Sequence, residues 1–350
     1  MDKSVFPVPR EELDLWRLVN DHTTNPKMNL AKEEAILRAR QEDACLDTLR
    51  FWMNERSVII GCFGDAKREV DLEMCRRNGV DLVRRISGGG AVYQDLGNLN
   101  LSVIAKSSLI KLPDDVLKIY EFISNPLKTA LLNMGVEAEF HPPNSIFSNG
   151  RKVSGLALHR LYDTWLIHGT LLIDVDLSTL CKVLLRPKAP VANITDLAPQ
   201  KLTVDDARLA LANSFRKFLD IDFEEKGLSE DELTQAENLL QLKYSRQNWN
   251  MQDEEQCVQI ELYIAEPPTT MCEKLVQLTQ EALSSLDTPS KLIIRRQGDT
   301  PAFCHSLAPT VPAILVNGTL KFDRRIPSEE ELIESIRESY VKVLQGSASK

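Results

Sequence analysis

RRISGGGAVYQDLGNLNLSVI, residues 84–104, sets two arginines and three consecutive glycines ahead of an alternating strand. On the strand leading in, Val83, Arg85 and Ser87 share one face, and Leu82, Arg84 and Ile86 share the other. On the strand leading out, Leu99, Leu101 and Val103 are expected on a core, which leaves Asn98, Asn100 and Ser102 opposite. A row of short amides and hydroxyls on one strand face implies solvent or a ligand. Gly88, Gly89 and Gly90 carry no Cβ, so the loop's N–H groups can approach an anion, with an arginine beside them for a bidentate grip. Two readings stand at this level: an anion cradle, and a flexible hairpin beside a solvated face. The segment matches neither GxxxxGK[ST] nor GxGxxG, which excludes an ordinary P-loop and a dinucleotide fold.

Outward from this stretch, residues 28–42 repeat apolar positions at helical spacing with Asn29 as the expected cap, and SVIIG (57–61) and VDLVRRI (80–86) read as strands. DDVLKIYEFISNPLKTALLNMG (114–135) is expected as an amphipathic helix pair broken before Pro126. NGRK (149–152) is a hairpin turn, followed by WLIHGTLLIDVDL (165–177) as a strand. Helices and a mixed sheet give an α+β class for residues 1–200. Residues 202–250 read as helical, with a capping box at Ser229 and Glu232, and MQDEEQ (251–256) reads as a linker, so 201–252 form a tail. The pattern then restarts as a small α/β domain over 257–345. Its strand CVQIELYIAE, helix MCEKLVQLTQEALSSL and strand KLIIRRQ precede a VNGT hairpin and a helix opened by Pro327, Ser328 and Glu331.

A chain of 350 residues exceeds what one core usually serves, and 43% apolar with 27% charged residues is ordinary for a globular protein. A net charge of −9 argues against a nucleic-acid partner. MDKSVFPVPREELDLW at the start is too charged for a signal peptide, and no apolar run reaches membrane-spanning length, so no membrane role is expected. The seven cysteines (45, 62, 75, 181, 257, 272, 304) include no CxxC pair, which fits reduced thiols and a cytoplasmic location. Two further features carry chemistry. Lys152 follows a tight turn and precedes Ser154 and Gly155, and His168 alternates with Leu166 and Thr170 in an apolar strand. Taken singly, the first reads as a solvated charge and the second as a hydrogen-bonded core histidine.

These blocks together resemble the lipoate–protein ligase family, within the biotin/lipoate ligase and octanoyltransferase superfamily. RRISGGGAVYQDLGNLNLS is similar to that family's RRxSGGGAVYHDxGNLNxS signature. WRLVNDHTTNPKMNLAKEEAILRA (16–39) resembles its opening helix, and SVIIGCFGDAKREVD (57–71) its SVVIGxxQNxxxEVN segment. GRKVSGLALHR (150–160), HGTLLIDVDL (168–177), VANITDL (191–197) and LKYSRQNWN (242–250) are similar to the later blocks, in order. The resemblance covers residues 16–250 and implies a mixed-sheet, biotin/lipoate-ligase-like catalytic domain.

It also implies a two-step reaction in which lipoate and ATP give lipoyl-AMP, and the acyl group passes to a lysine of a lipoyl-carrier protein. The carrier would be glycine-cleavage H-like or a 2-oxoacid dehydrogenase lipoyl domain. By the resemblance, Arg85, Ser87, Gly88, Gly89, Gly90, Ala91, Val92, Tyr93, Asn98 and Lys152 would hold ATP or the adenylate. Arg85, Lys152, Ser154, Gly155, His168, Gly169 and Thr170 would hold lipoate, with Lys152 the catalytic residue bridging carboxylate and α-phosphate. Mg²⁺ is implied by ATP, but no carboxylate cluster offers itself as its ligand, so metal residues stay unassigned. Three positions depart from the pattern: Gln94 for histidine, Gly64 for glutamine, and Ser145 for aspartate after Asn144. VEAEFHPPNSIFSNGRK (136–152) lacks the cysteine of an acyl-enzyme octanoyltransferase, and no GRGRxxR loop of a biotin ligase is present. An ATP-independent lipoyl or octanoyl transferase and a non-catalytic lipoate-binding scaffold remain as alternatives.

Family ligases often carry an accessory domain for adenylation, which residues 257 onward do not resemble. TVPAILVNGTLKFDRRIPSEE (310–330) is instead similar to the TPAxVINGKxxxxGRxPSxEE block of small thioredoxin-like proteins, which makes Pro312 a cis-proline. TTMC (269–272) holds one cysteine where the redox motif has two. Cys272 is the candidate redox thiol, and docking a partner is the expected role of this domain.

Overall fold

The computed structural model describes residues 14–106, 112–113, 115–185, 189–251, 258–286, 288, 290–296, 311–317 and 319–347. Its first elements are β1 (Asp14–Asn20), α1 (Pro26–Gln41), β2 (Thr48–Trp52), β3 (Ser57–Ile60), α2 (Ala66–Glu69), α3 (Leu72–Arg77), β4 (Asp81–Arg84), β5 (Val92–Gln94) and β6 (Asn98–Lys106). There follow α4 (Val116–Asn133), β7 (Glu139–His141), β8 (Ser145–Ser148), β9 (Arg151–Leu161), β10 (Thr164–Leu172), α5 (Leu177–Val183), α6 (Val204–Leu219) and β11 (Ile221–Glu225). The chain closes with α7 (Glu230–Leu239), α8 (Gln247–Met251), β12 (Val258–Ile264), α9 (Thr270–Ser284), β13 (Ser290–Arg296), β14 (Ala313–Val316), β15 (Thr319–Asp323) and α10 (Glu329–Ser347).

An eight-stranded mixed sheet, ordered β11-β1-β2-β6-β10-β9-β8-β7, stands beside a three-stranded sheet, β4-β3-β5. The α+β class expected from the sequence is the class observed. Alternation on β6 sorts the large sheet's two faces. Leu99, Leu101 and Val103 enter the main core with Ile119, Ile123 and Leu127 of α4 and Leu211 and Phe215 of α6. The opposite face is buried as well: Asn98, Asn100 and Ser102 are 0, 2 and 0% exposed, because α1 packs over β6 and β10. Cross-strand pairing puts Ser102 beside His168 and Asn100 beside Thr170, so the polar face continues onto β10.

Four expectations change. Asn25, not Asn29, caps α1, accepting from the Met28 N–H with Pro26 at the first helical position. Asn29 is buried and donates to the carbonyls of Thr23 and Met53. The expected break before Pro126 is absent, and α4 runs continuously, with Pro126 on its buried face. The Ser124 hydroxyl donates to the Glu121 carbonyl in the same turn. The tail is not wholly helical, since β11 pairs in parallel with β1 at the edge of the large sheet. Its IDFEE sequence conceals the strand, because an edge strand exposes acidic residues that blunt further pairing. The strand expected over 165–177 is Thr164–Leu172. The linker residues 252–256, with Cys257 and Cys304, lie outside the described residues.

The rest of the tail packs on α1 through a buried ion cluster. The Glu34 carboxylate accepts from Lys243 Nζ (3.1 Å), Arg38 Nη2 (2.6 Å) and the Tyr244 hydroxyl (2.5 Å). Burial alone would raise its pKa, but Lys243, Arg38 and Tyr244 outweigh that and hold it at about 2. A carboxyl with a depressed folded-state pKa stabilises fully above its unfolded value and loses that contribution as pH falls. For Glu34 the window runs from the ordinary 4.5 down to about 2. Glu34→Ala is expected to cost about 3–5 kcal/mol by leaving buried cations short of a partner. Chemical unfolding followed by tryptophan fluorescence checks this, and the variant should also lose part of the acid-induced destabilisation.

The C-terminal residues have their own core, with Val258, Ile260, Leu262, Leu275, Ile314, Leu332 and Ile336 at its centre. Their sheet runs β13-β12-β14-β15, with β12 parallel to β13 and antiparallel to β14. The expected capping box at Ser328 and Glu331 is formed, and the Val311–Pro312 peptide is cis.

Candidate active site

The loop after β4, strand β5, the first half of β9 and the middle and end of β10 line one cavity of about 340 Å³. Of the residues singled out in the sequence, Arg85, Gly89, Gly90, Ala91, Val92, Tyr93, Lys152, Gly155, His168, Gly169 and Thr170 line it. Ser87, Gly88, Asn98 and Ser154 are not in the lining.

Lys152 is placed by backbone. A turn with positive φ at Asn149 and Gly150 (48° and 70°) reverses the chain into β9. The Lys152 N–H donates to the Pro190 carbonyl, and the Lys152 carbonyl accepts from Ala192. Its side chain then lies across Gly155, where a Cβ would stand 2.8 Å from Nζ and 2.9 Å from Cε. A glycine at 155 is what leaves the ammonium room inside the cavity.

The glycine loop is gripped from behind. Arg85 is 5% exposed, and its Nε donates to Ser87 Oγ (3.0 Å) and the Gly88 carbonyl (3.2 Å). Nη1 donates to the Ile59 carbonyl (2.9 Å), and Nη2 to those of Gly88 (2.6 Å) and Gly90 (3.1 Å). The guanidinium expected to meet phosphate directly thus holds the loop's carbonyls, and burial lowers its pKa. The end of β3 presses on the same loop: a Cβ on Gly61 would fall 2.1 Å from the Gly89 carbonyl oxygen. The cavity side of the loop is polarised for an anion. Glu69, the one carboxylate among the described lining residues, accepts the Ala91 N–H at 2.7 Å.

The three departures from the family pattern acquire physical content. At Gly64 a Cβ would meet Ile60 Cγ1 at 2.6 Å and Glu69 Oε1 at 2.8 Å, so glycine lets Glu69 reach the loop. Gln94 lies in a buried amide cluster, donating to Asn100 Oδ1 (2.8 Å) and accepting from Asn54 Nδ2 (2.7 Å). Ser145 sits at the start of β8 opposite Gly155, while Asn144 bonds both backbone groups of Leu156.

Ser87 is turned inward, 1% exposed, with its Oγ 2.6 Å from His168 Nε2. His168 Nδ1 lies 2.9 and 3.0 Å from the two Glu33 oxygens. Burial raises the pKa of Glu33, but His168, Ser102 and Arg50 outweigh it and keep this carboxylate below its usual range. The trio has the connectivity of a hydrolase triad. Ser87 nevertheless accepts Arg85 Nε and lies outside the lining, which leaves its oxygen no path to a substrate.

Sequence reading missed Glu33, Glu69 and Arg84. For Glu33 a signal existed: Leu30, Glu33, Glu34 and Leu37 fall on one helical stripe, and acids on a core-facing stripe need a partner. Thiols play no visible part in the cavity. No disulfide joins the described cysteines, and burial pushes Cys62 and Cys75 up to about 11 and Cys45 to about 12. Away from the cavity, Cys272 is buried at the start of α9. Burial raises its pKa, but the Thr269 hydroxyl and the Ala265 N–H reverse this, and the net shift is downward. Among the described residues no group of three His, Cys, Asp or Glu side chains could hold a metal ion. No described helix is long and apolar enough to cross a membrane.

Comparison with known proteins places this cavity in context. Residues 25–216 match the family described as "Lipoyl protein ligase A/B catalytic domain". The chain is 34% identical over 249 residues to lipoate-protein ligase A subunit 1 of Thermoplasma acidophilum, covering 65% of this chain and 92% of that one. The bi-partite lipoate protein ligase of Thermoplasma acidophilum, studied with its E2 lipoyl domain, aligns with a TM-score of 0.60 at 34% identity, over 69% of this chain and 96% of that one. A lipoate-protein ligase A solved with ATP aligns with a TM-score of 0.61 at 36% identity, over 69% of this chain and 99% of the other.

Proposed function

The chain belongs to the lipoyl protein ligase A/B family, and from that premise we propose that it is an ATP-dependent lipoate–protein ligase acting on a lipoyl-carrier protein. The observation that carries the reading is Lys152 laid over Gly155, in one cavity with the N–H face of the glycine loop. A lysine ammonium so placed neutralises two anions that must meet, a carboxylate and an α-phosphate. Two apolar groups in the lining belong to separate clusters, one under α1 (Leu30, Trp52, Ile59) and one around α5 (Leu172, Leu180, Leu184, Val191). The first takes the lipoyl chain and the second the nucleotide base.

In this reading the lipoate carboxylate attacks the α-phosphorus, pyrophosphate leaves, and lipoyl-AMP stays bound. An acceptor lysine then attacks the acyl carbon, with Lys152 stabilising the oxygen that gains charge and AMP departing. Mg²⁺ fits as an ion arriving with the triphosphate, since such ions use phosphates and one or two carboxylates, and Glu69 is the carboxylate at hand. The protein works in the cytoplasm. Residues 257–345 form a thioredoxin-like docking domain beyond the catalytic residues 1–200 and the tail 201–252, and its TTMC motif, with Cys272 as the one cysteine, cannot form a CxxC disulfide.

Incubation with lipoate, Mg·ATP and an apo lipoyl domain is expected to release pyrophosphate and add a lipoyl mass to the acceptor. Modification from lipoyl-AMP or an acylated carrier alone would replace the ligase with a transferase. Tight lipoate binding without any transfer would leave a scaffold.

A further inference from the structure

Glu33, His168 and Ser87 form a hydrogen-bonded chain that the proposed chemistry leaves without a role. It starts at a carboxylate 1% exposed on α1, which also accepts the Ser102 hydroxyl at 2.6 Å. An anionic Glu33 takes the Nδ1–H of His168, so in the neutral ring Nε2 offers a lone pair and Ser87 O–H donates to it. The Ser87 oxygen then faces Arg85 Nε, and Arg85 faces the carbonyls of Gly88 and Gly90.

The last link has a geometric consequence. In a trans peptide the C=O of one residue and the N–H of the next point in opposite directions. Carbonyls of Gly88 and Gly90 drawn toward Arg85 therefore turn the N–H groups of Gly89 and Ala91 away from it. The Ala91 N–H does point away, onto the Glu69 carboxylate, which marks that side of the loop as the one that accepts an anion. The three glycines carry no side chains of their own and Gly89 sits at φ +95°, so this polarity is set by side chains from outside the loop, Arg85 on its carbonyl side and Glu69 on its N–H side.

We propose that Glu33 and Ser87 are positioning residues: acting through His168, they hold Arg85 on the loop carbonyls and so set the face on which the glycine loop presents its N–H groups to the nucleotide phosphates. This rests on the reading of the cavity as a nucleotide site.

The test uses the full chain with Ser87→Ala, Ser87→Thr, Glu33→Gln and the Ser87→Ala/Glu33→Gln double variant. ATP and lipoate affinities are measured separately by calorimetry, and hydrogen exchange is followed at residues 88–91. Ser87→Ala and Glu33→Gln should each weaken ATP about tenfold, the loss of one charge-assisted contact. Lipoate affinity should stay within about twofold, and exchange should quicken at 88–91. The double variant should be no worse than the poorer single one, because both cut the same chain, and Ser87→Thr should restore the loop. Unchanged exchange at 88–91, additive losses, or faster exchange spread evenly over α1 and β10 would overturn the proposal. A wild-type chain that bound neither ATP nor lipoate would sink the ligase reading instead, and exchange in the variants would still decide whether the relay orders the loop.

Discussion

Lys152→Ala is expected to reduce lipoyl transfer by about 10²–10³-fold, the range for removing one charge-stabilising group from a preorganised site. The melting temperature should stay close to that of the parent protein. The two halves of this prediction have separate causes. Rate is lost because the ammonium lies inside the cavity, across Gly155 and beside the N–H face of the glycine loop. The fold is kept because Lys152 is fixed in place by backbone pairing with Pro190 and Ala192, which the substitution leaves intact. Transfer is read by the mass of an apo lipoyl domain and stability by thermal unfolding. A melting temperature that fell with activity would reassign Lys152 to a structural role.

Arg84→Met is expected to cost about 3–5 kcal/mol of stability, because it removes a buried charged donor and leaves several buried carbonyls unpaired. The Arg84 side chain is wholly buried. Its guanidinium donates to the carbonyls of Gly61 (2.7 Å), Gly64 (2.8 Å), Trp249 (2.9 Å), Asn250 (3.2 Å), Cys62 (3.3 Å) and Met251 (3.3 Å). Methionine fills similar volume but leaves these acceptors in an apolar site without a donor. Denaturant titration measures the loss, and Trp249 reports it, since its indole N–H donates to the Arg84 carbonyl. A cost below about 1 kcal/mol would show that water or neighbouring groups replace the donor.

Much of the site was legible because its residues carry their own local rules. Alternation on β6 separated Leu99 and Leu101 from Asn98 and Asn100, and the structure keeps that division. What alternation could not tell is that the polar face is covered, because the cover is α1, whose apolar stripe is interrupted by Glu33 and Glu34. Neighbouring arginines illustrate the same limit. Strand periodicity placed Arg84 and Arg85 on opposite faces, which is how they stand, one holding the tail and the other the glycine loop. That Arg84 would bond carbonyls of the tail depends on chain brought from far away in sequence, which no local pattern records, whereas Arg85 turns back onto the carbonyls of its own loop. β11 escaped notice for the reverse reason: an edge strand of five residues, three of them exposed acids, has the composition of a loop.

The Arg84 contacts also dictate where the gene can be cut and recombined. A chimera joined near residue 200 would carry the large sheet without β11 and the 61–64 segment without its carbonyl partners across the guanidinium. One joined after Met251 would transplant both, together with the Glu34 cluster, so a different C-terminal module can be attached there with the pocket wall complete.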